Sequence, residues 1–232
     1  MKEAPQRHAH RKSTPFILIN FKTYANATGT HAIALAKICE EVAKGKKAHV
    51  AIAVQAVDLA SVSAAVDIPV FAQHADASVQ GQSTGSITVE ALKAAGAQGT
   101  LINHSERKIP LEAIQAIVER CRAAGLKTVV CAENPDMAYK VAQFKPDYVA
   151  MEPPELIGGD ISVSTAKPEL IGWSRQAVHD GNPDTALLVG AGVKNNADLK
   201  KSLELGAQGI LLASGITKTD DPKKALLNLM GD

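Results

Sequence analysis

The sequence predicts an α/β protein folded as a single-domain (β/α)8 barrel, and three observations predict it. Short apolar runs of strand character alternate regularly with longer stretches of helical period. The runs number eight and are almost wholly apolar, as strands buried on both faces must be. Unusual polar residues and glycines follow the C-terminal ends of these runs, and in a closed barrel those ends meet on one face. A doubly wound open sheet is the alternative built from the same units, and the placement of the polar residues favours the barrel.

In chain order the strands are FILIN (16–20), HVAIAV (49–54), PVFAQ (69–73), GTLIN (99–103), KTVVC (127–131), DYVAM (147–151), ALLVG (186–190) and GILLA (209–213). Between the first two lies HAIALAKICEEVAK (31–44), apolar at helical spacing. LEAIQAIVERCRAA (111–124) follows the fourth, introduced by Pro110 and stopped by Gly125. A last helix is expected near 222–229. LELGAQGILLASG (203–215) echoes LKAAGAQGTLINHS (92–105), each a helix end, Gly-Ala-Gln-Gly and a strand, as a repeated unit would give. Residues 1–15 stand apart: Lys2, Arg7, Arg11 and Lys12 outnumber Glu3, no apolar stretch is present, and the segment reads as a flexible basic extension of a barrel spanning 16–232.

The 232 residues carry 25 basic and 24 acidic side chains, a net charge of +1, which gives no electrostatic case for a nucleic-acid or membrane partner. The longest apolar runs fall far short of the ~20 residues of a membrane-spanning helix. Cys39, Cys121 and Cys131 are an odd set without CxxC spacing, so neither a disulfide framework nor a zinc ribbon is expected, and the reading is a cytoplasmic protein.

Glu152 directly follows a strand and precedes Pro153 and Pro154, so its carboxylate sits on a strand tip as a candidate general base. His104 stands at another tip, beside Ser105, Glu106 and Arg107, where a neutral imidazole can donate to a substrate oxygen; Glu106 and Arg107 are placed to hold loops by ion pairing. Lys22, two residues past Asn20, offers a positive charge for an anionic substrate or an oxyanion. The turns 157–160, 189–192 and 213–216 contain glycine, which lets successive backbone N–H groups converge on a phosphate. In 73–76, His74 and Asp76 invite a metal reading, but no third ligand has suitable spacing, and a hydrogen-bonding loop anchor explains the pair as well.

These motifs together resemble the triosephosphate isomerase family, in the short form typical of archaea, from about Phe16 to Met230. INFKTY (19–24) is similar to its first-strand motif, INHSERK (102–108) to its histidine motif, MEPPELIGG (151–159) to its glutamate and lid motif, and GAGV and LLASG to its two phosphate-binding turns. The resemblance implies a TIM barrel that interconverts dihydroxyacetone phosphate and glyceraldehyde 3-phosphate through an enediolate, without cofactor or metal. In that scheme Glu152 removes the proton, His104 polarises the oxygens as a neutral donor, Lys22 stabilises negative charge, Asn20 orients Lys22 or the oxyanion, and Glu106 supports the His-Ser pair from behind. The pairing of a glutamate base with a neutral histidine is a known pattern of that enzyme. Gly158, Gly192, Ser214 and Gly215 would hold the phosphate through backbone N–H groups, with residues 153–163 as a closing lid.

By the same resemblance, 81-GQSTGS-86 is an interdigitating loop whose Thr84 reaches a neighbouring copy, implying a homodimer or homotetramer. The chain departs from the family in two places. The lid reads 157-IGGD-160 where the usual sequence is Ile-Gly-Thr-Gly, which brings Asp160 near a phosphate or makes it a cap for 161–170, with Ser162, Ser164 and Thr165 as other candidate caps. The turn after the seventh strand has Val189 and Gly192 where longer members have tyrosine and serine. The alternatives are another phosphate-binding barrel isomerase or epimerase, and a non-enzymatic binding protein that keeps the fold.

Overall fold

Apolar runs with side chains on alternating faces must bury both faces, and a sheet wrapped into a ring of helices does so. In the computed structural model, which describes residues 14–46, 48–157, 159 and 162–231, eight parallel strands close in sequence order: β1 (Phe16–Asn20), β2 (His49–Val54), β3 (Val70–Ala72), β4 (Gly99–Ile102), β5 (Lys127–Ala132), β6 (Tyr148–Met151), β7 (Ala186–Val189) and β8 (Gly209–Leu212). Phe16 faces His49 of β2 on one side and Gly209 of β8 on the other, and this double pairing closes the ring and excludes the open sheet. The helices are α1 (Thr30–Lys46), α2 (Leu59–Ser63), α3 (Val89–Ala94), α4 (Leu111–Ala124), α5 (Pro135–Ala142), α6 (Val163–Ala166), α7 (Pro168–Gly181), α8 (Asn196–Glu204), α9 (Ser214–Thr217) and α10 (Pro222–Met230).

Period two sorts the core. Phe16, Leu18, Phe71, Leu101, Leu188 and Leu211 fill the barrel, while Ile17, Ile19, Val50 and Ile52 point outwards into the layer packed under the helices. Strand ends depart from the expected bounds for local reasons. Pro69 has no N–H for the ladder, so β3 begins at Val70. Asn103 takes φ 61°, a left-handed value that ends β4 at Ile102. Asp147 accepts the N–H of Thr128 with its side chain, and β6 starts one residue later. α1 reaches Lys46, with Lys44 and Lys46 facing the negative end of its dipole. α4 has the expected bounds, and Gly125 closes it at φ 71°.

The repeat has a packing cause. A Cβ on Gly209 would fall 2.0 Å from the Phe16 carbonyl oxygen, and one on Gly99 would fall 2.6 Å from that of Lys127, so only glycine can open β4 and β8. Cys39, Cys121 and Cys131 are buried free thiols, and burial pushes Cys39 and Cys121 up to about 12. Among the described residues no helix is long and apolar enough to cross a membrane. Residues 1–13, nearly all of the basic extension, lie outside the described residues.

Candidate active site

The inner rows of two strands end in polar residues. Asn20 continues Phe16 and Leu18, and Glu152 continues Tyr148 and Ala150, so both arrive at the C-terminal mouth in phase with the barrel interior. They are 4% and 6% exposed, values that ordinary loop residues of these types do not show. A small cleft at this mouth is lined by Asn20, Lys22, His104, Glu152, Gly192 and Ser214, among others. The structure thus brings together residues from the tips of β1, β4, β6, β7 and β8, spread over most of the chain.

Asn20 Oδ1 accepts the Lys22 N–H at 2.9 Å and fixes Lys22 at φ 51°. Gln73 Nε2 donates to the Lys22 carbonyl at 2.8 Å and to that of Ala53 at 3.2 Å, which occupies the side chain at the tip of β3. Lys22 Nζ lies 2.6 Å from Glu106 Oε1, a tie that directs the ammonium along the cleft wall. Glu106 thus supports the site through Lys22, and through its backbone as well, since its N–H donates to His104 Nδ1 at 3.2 Å. An N–H pointing at Nδ1 requires a lone pair there, so the proton of the neutral ring sits on Nε2. That nitrogen faces Glu152 Oε2 at 3.7 Å across the cleft.

Glu152 has an unusual surrounding. Its Oε2 is buried without a hydrogen-bond partner among the described residues, and such an oxygen is costly unless a ligand or water meets it. Cys131, at the inner face of β5, sits beside it; burial first, then the negative charge of Glu152, pushes the Cys131 thiol well above its ordinary value. Gly190 backs the carboxylate so closely that a Cβ would lie 2.4 Å from Glu152 Cγ.

The glycine turns after β7 and β8 border the cleft. Ala191 and Gly192 both have φ 72°, which turns the chain sharply beside the cleft. Ser214 lines the cleft as the first residue of α9, and Gly215 behind it packs against the Val193 carbonyl, where a Cβ would sit 3.3 Å away. Gly158 and Asp160 lie outside the described residues, as does Ile161. Ser162 stands at the cap position of α6 but makes no side-chain cap bond; its hydroxyl goes to Asp198 instead.

Sequence reasoning did not single out Tyr24, Ile157 or Lys194, all of which line the cleft, nor Cys131 or Gly190 as neighbours of Glu152. The phase of β5 and β7 carried the signal for the last two, since 129 and 131, and 188 and 190, share the inward face.

His74 and Asp76 form the loop anchor. His74 Nε2 lies 2.9 Å from Asp76 Oδ1, the Asp76 N–H donates to the Ile87 carbonyl at 2.8 Å, and Asp76 Oδ2 accepts the Ile87 N–H at 2.7 Å. Among the described residues no three His, Cys, Asp or Glu side chains gather as a metal site. The anchored loop carries Thr84 exposed at its tip.

The family model of triosephosphate isomerase matches residues 15–230. Triosephosphate isomerase of Methanobacterium bryantii is 46% identical over 219 residues, 94% of this chain and 97% of that one. That of Methanothermobacter thermautotrophicus is 48% identical over 219 residues, 94% of this chain and 96% of its own. The crystal structure of triosephosphate isomerase from Bartonella henselae superposes with a TM-score of 0.69 at 22% identity, covering 87% of this chain and 92% of that one, which supports the barrel architecture. With the family model matched along nearly its whole length, the chain belongs to the triosephosphate isomerase family.

Proposed function

We propose that this chain interconverts dihydroxyacetone phosphate and D-glyceraldehyde 3-phosphate. The observation that carries the reading is the buried Glu152 carboxylate facing His104 Nε2 at 3.7 Å in the cleft that Gly192 and Ser214 also line. Ketose and aldose have the same composition, so the reaction moves protons and needs no oxidant. Glu152 takes the proton from the carbon beside the carbonyl and returns it to the neighbouring carbon. His104, with its proton on Nε2, donates to the oxygens as charge builds on them. Lys22, steadied by Glu106 and by Asn20 at its backbone, supplies the positive charge that favours the enediolate over the carbonyl form.

Backbone N–H groups of Gly192, Ser214 and Gly215 hold the phosphate without a guanidinium, and Gly158 joins them from the lid. The first N–H groups of a helix such as α9 have no intrahelical acceptor, which suits them to an anion. Residues 153–163 cover the enediolate, which loses phosphate to β-elimination if left open to water. Thr84, exposed on its anchored loop, supports assembly of two or four copies. The three buried free thiols fit a reducing cytoplasm. A coupled assay in both directions tests the activity: turnover of triose phosphate by purified protein is expected, and its absence would refute the reading.

A further inference from the structure

The turn from Gly190 to Val193 contributes no side-chain hydroxyl or amide to the cleft, and Ala191 takes a left-handed φ of 72° that a non-glycine residue holds only when its surroundings fix it. Three bonds tie it down. The Gly190 N–H donates to the Met151 carbonyl at 2.8 Å, the Val163 N–H donates to the Ala191 carbonyl at 3.4 Å, and the Lys194 N–H donates to Asp198 Oδ2 at 3.0 Å. The other Asp198 oxygen is engaged elsewhere: Oδ1 accepts the Ser162 hydroxyl at 2.7 Å. Ser162 is 3% exposed and Ser164 2%, and Ser162 Oγ also lies 2.9 Å from Ser164 Oγ and 3.1 Å from Thr165 Oγ1.

We infer that Asp198 is a positioning residue of the isomerase reaction, one carboxylate that ties the root of the β6–α7 connection to the turn carrying Gly192. An aspartate that only capped α8 would need a single oxygen. Asn195 already caps that helix by accepting the Asp198 N–H at 3.0 Å, so the first turn of α8 is fixed before the carboxylate is used. Spending the second oxygen on a buried hydroxyl of a different segment couples two parts of the site that lie about thirty residues apart in the chain. A charge-assisted bond is the strong form of such a tie. Its job is to hold the Gly192 N–H where the substrate phosphate lies, both in the Michaelis complex and while the enediolate exists. The idea rests on the isomerase reading and assigns to that site a support which the catalytic residues do not provide.

The failure it prevents is chemical. When the phosphate is held loosely, the C–O bond to it breaks in the enediolate, phosphate leaves with the bonding pair, and the enediolate electrons form a new double bond, giving inorganic phosphate and the enol of methylglyoxal. The test measures KM, kcat and inorganic phosphate released per isomerisation for the wild type, Asp198→Ala, Asp198→Asn and Ser162→Ala. Losing a hydrogen bond to a charged group should raise KM about tenfold in Asp198→Ala and in Ser162→Ala, with more phosphate released per turnover. Asp198→Asn keeps an acceptor for the Lys194 N–H and offers a donor to Ser162, so it should stay close to the wild type. A lower melting temperature in Asp198→Ala, with KM and phosphate release unchanged in both it and Ser162→Ala, would overturn the proposal and leave Asp198 a structural residue of the first turn of α8. If Asp198→Ala does not fold, Ser162→Ala, which leaves the α8 cap intact, decides alone. A wild type without isomerase activity would overturn the underlying reading as well, whereas an active wild type with unaltered variants overturns the tie alone.

Discussion

Gly190 and Glu152 are in contact in a way that leaves no space for a methyl group: a Cβ on Gly190 would sit 2.4 Å from Glu152 Cγ and 2.8 Å from Oε1. The tip of β7 is therefore the wall against which Glu152 rests, and its side-chain-free surface sets where the carboxylate lies. Gly190→Ala should displace Glu152 by about 1 Å and lower kcat by roughly 100-fold, the usual cost of such a shift at a reacting centre. Gly190 has no left-handed φ, so the variant should remain folded, with an overpacking cost of roughly 1–3 kcal/mol. Steady-state kinetics with a thermal melt checks both halves, and an unchanged kcat would mean that Glu152 repacks without moving its oxygens.

His104 should show the tautomer that its neighbour imposes. With the Glu106 N–H directed at Nδ1, the ring nitrogens of the free enzyme should give ¹⁵N shifts of an unprotonated Nδ1 and a protonated Nε2 at neutral pH. His104→Gln should reduce turnover by roughly 10²-fold or more, the usual contribution of a positioned acid–base group. The opposite tautomer in the spectrum would remove His104 Nε2 as the donor.

The loop that carries Thr84 should loosen in acid. Burial raises the Asp76 carboxyl, but the Ile87 N–H, His74 and Arg107 outweigh it, and the group ends below its ordinary 3.8. A carboxylate held low by its partners stabilises fully above that ordinary value and loses the effect as pH falls through the folded value. Hydrogen exchange at Ile87 should therefore be independent of this group at neutral pH and speed up below about pH 4. Glu90 beside Arg120 is held low by that guanidinium, and Arg120 also donates to the Ala77 carbonyl, so a second acid-sensitive tie loosens in the same range. Asp76→Asn should free the loop already at pH 7 and shrink the acid step; protection equal to the wild type would contradict the anchor.

Thr84→Arg tests assembly. The tip of the loop has no catalytic chemistry of its own and stands exposed, so a bulky charge there should weaken association and activity together. Sedimentation at assay concentrations checks it, and a fully active monomer would show that no neighbouring copy completes the site.

The fold was legible wherever burial alone decides. β1 and β2 follow the apolar runs residue for residue, because every position of β1, and every one of β2 after the exposed His49, is buried on one face or the other. The ends of β3, β4 and β6 were not, because Pro69, the left-handed Asn103 and the Asp147 side chain interrupt pairing for reasons that hydropathy does not record. Within the site, Asn20, Lys22, His104 and Glu152 stood out as polar residues after apolar strands, and they share one cleft. Gly190 as the neighbour of Glu152, and Asp198 altogether, did not stand out, since a glycine after a strand and an aspartate in a first helical turn have ordinary explanations. Only the approach of Glu152 and of Ser162 gives them meaning.

As the proposed base, Glu152 carries a proton between adjacent carbons of a triose phosphate. The direct measurement follows isomerisation of D-glyceraldehyde 3-phosphate in D₂O for the wild type and Glu152→Gln, recording rate and deuterium at the carbon next to the carbonyl. Fast wild-type turnover with deuterium at that carbon is expected, with a folded Glu152→Gln slower by roughly 10²- to 10⁴-fold or more. A folded variant that isomerises and exchanges at the wild-type rate would contradict that assignment of the base.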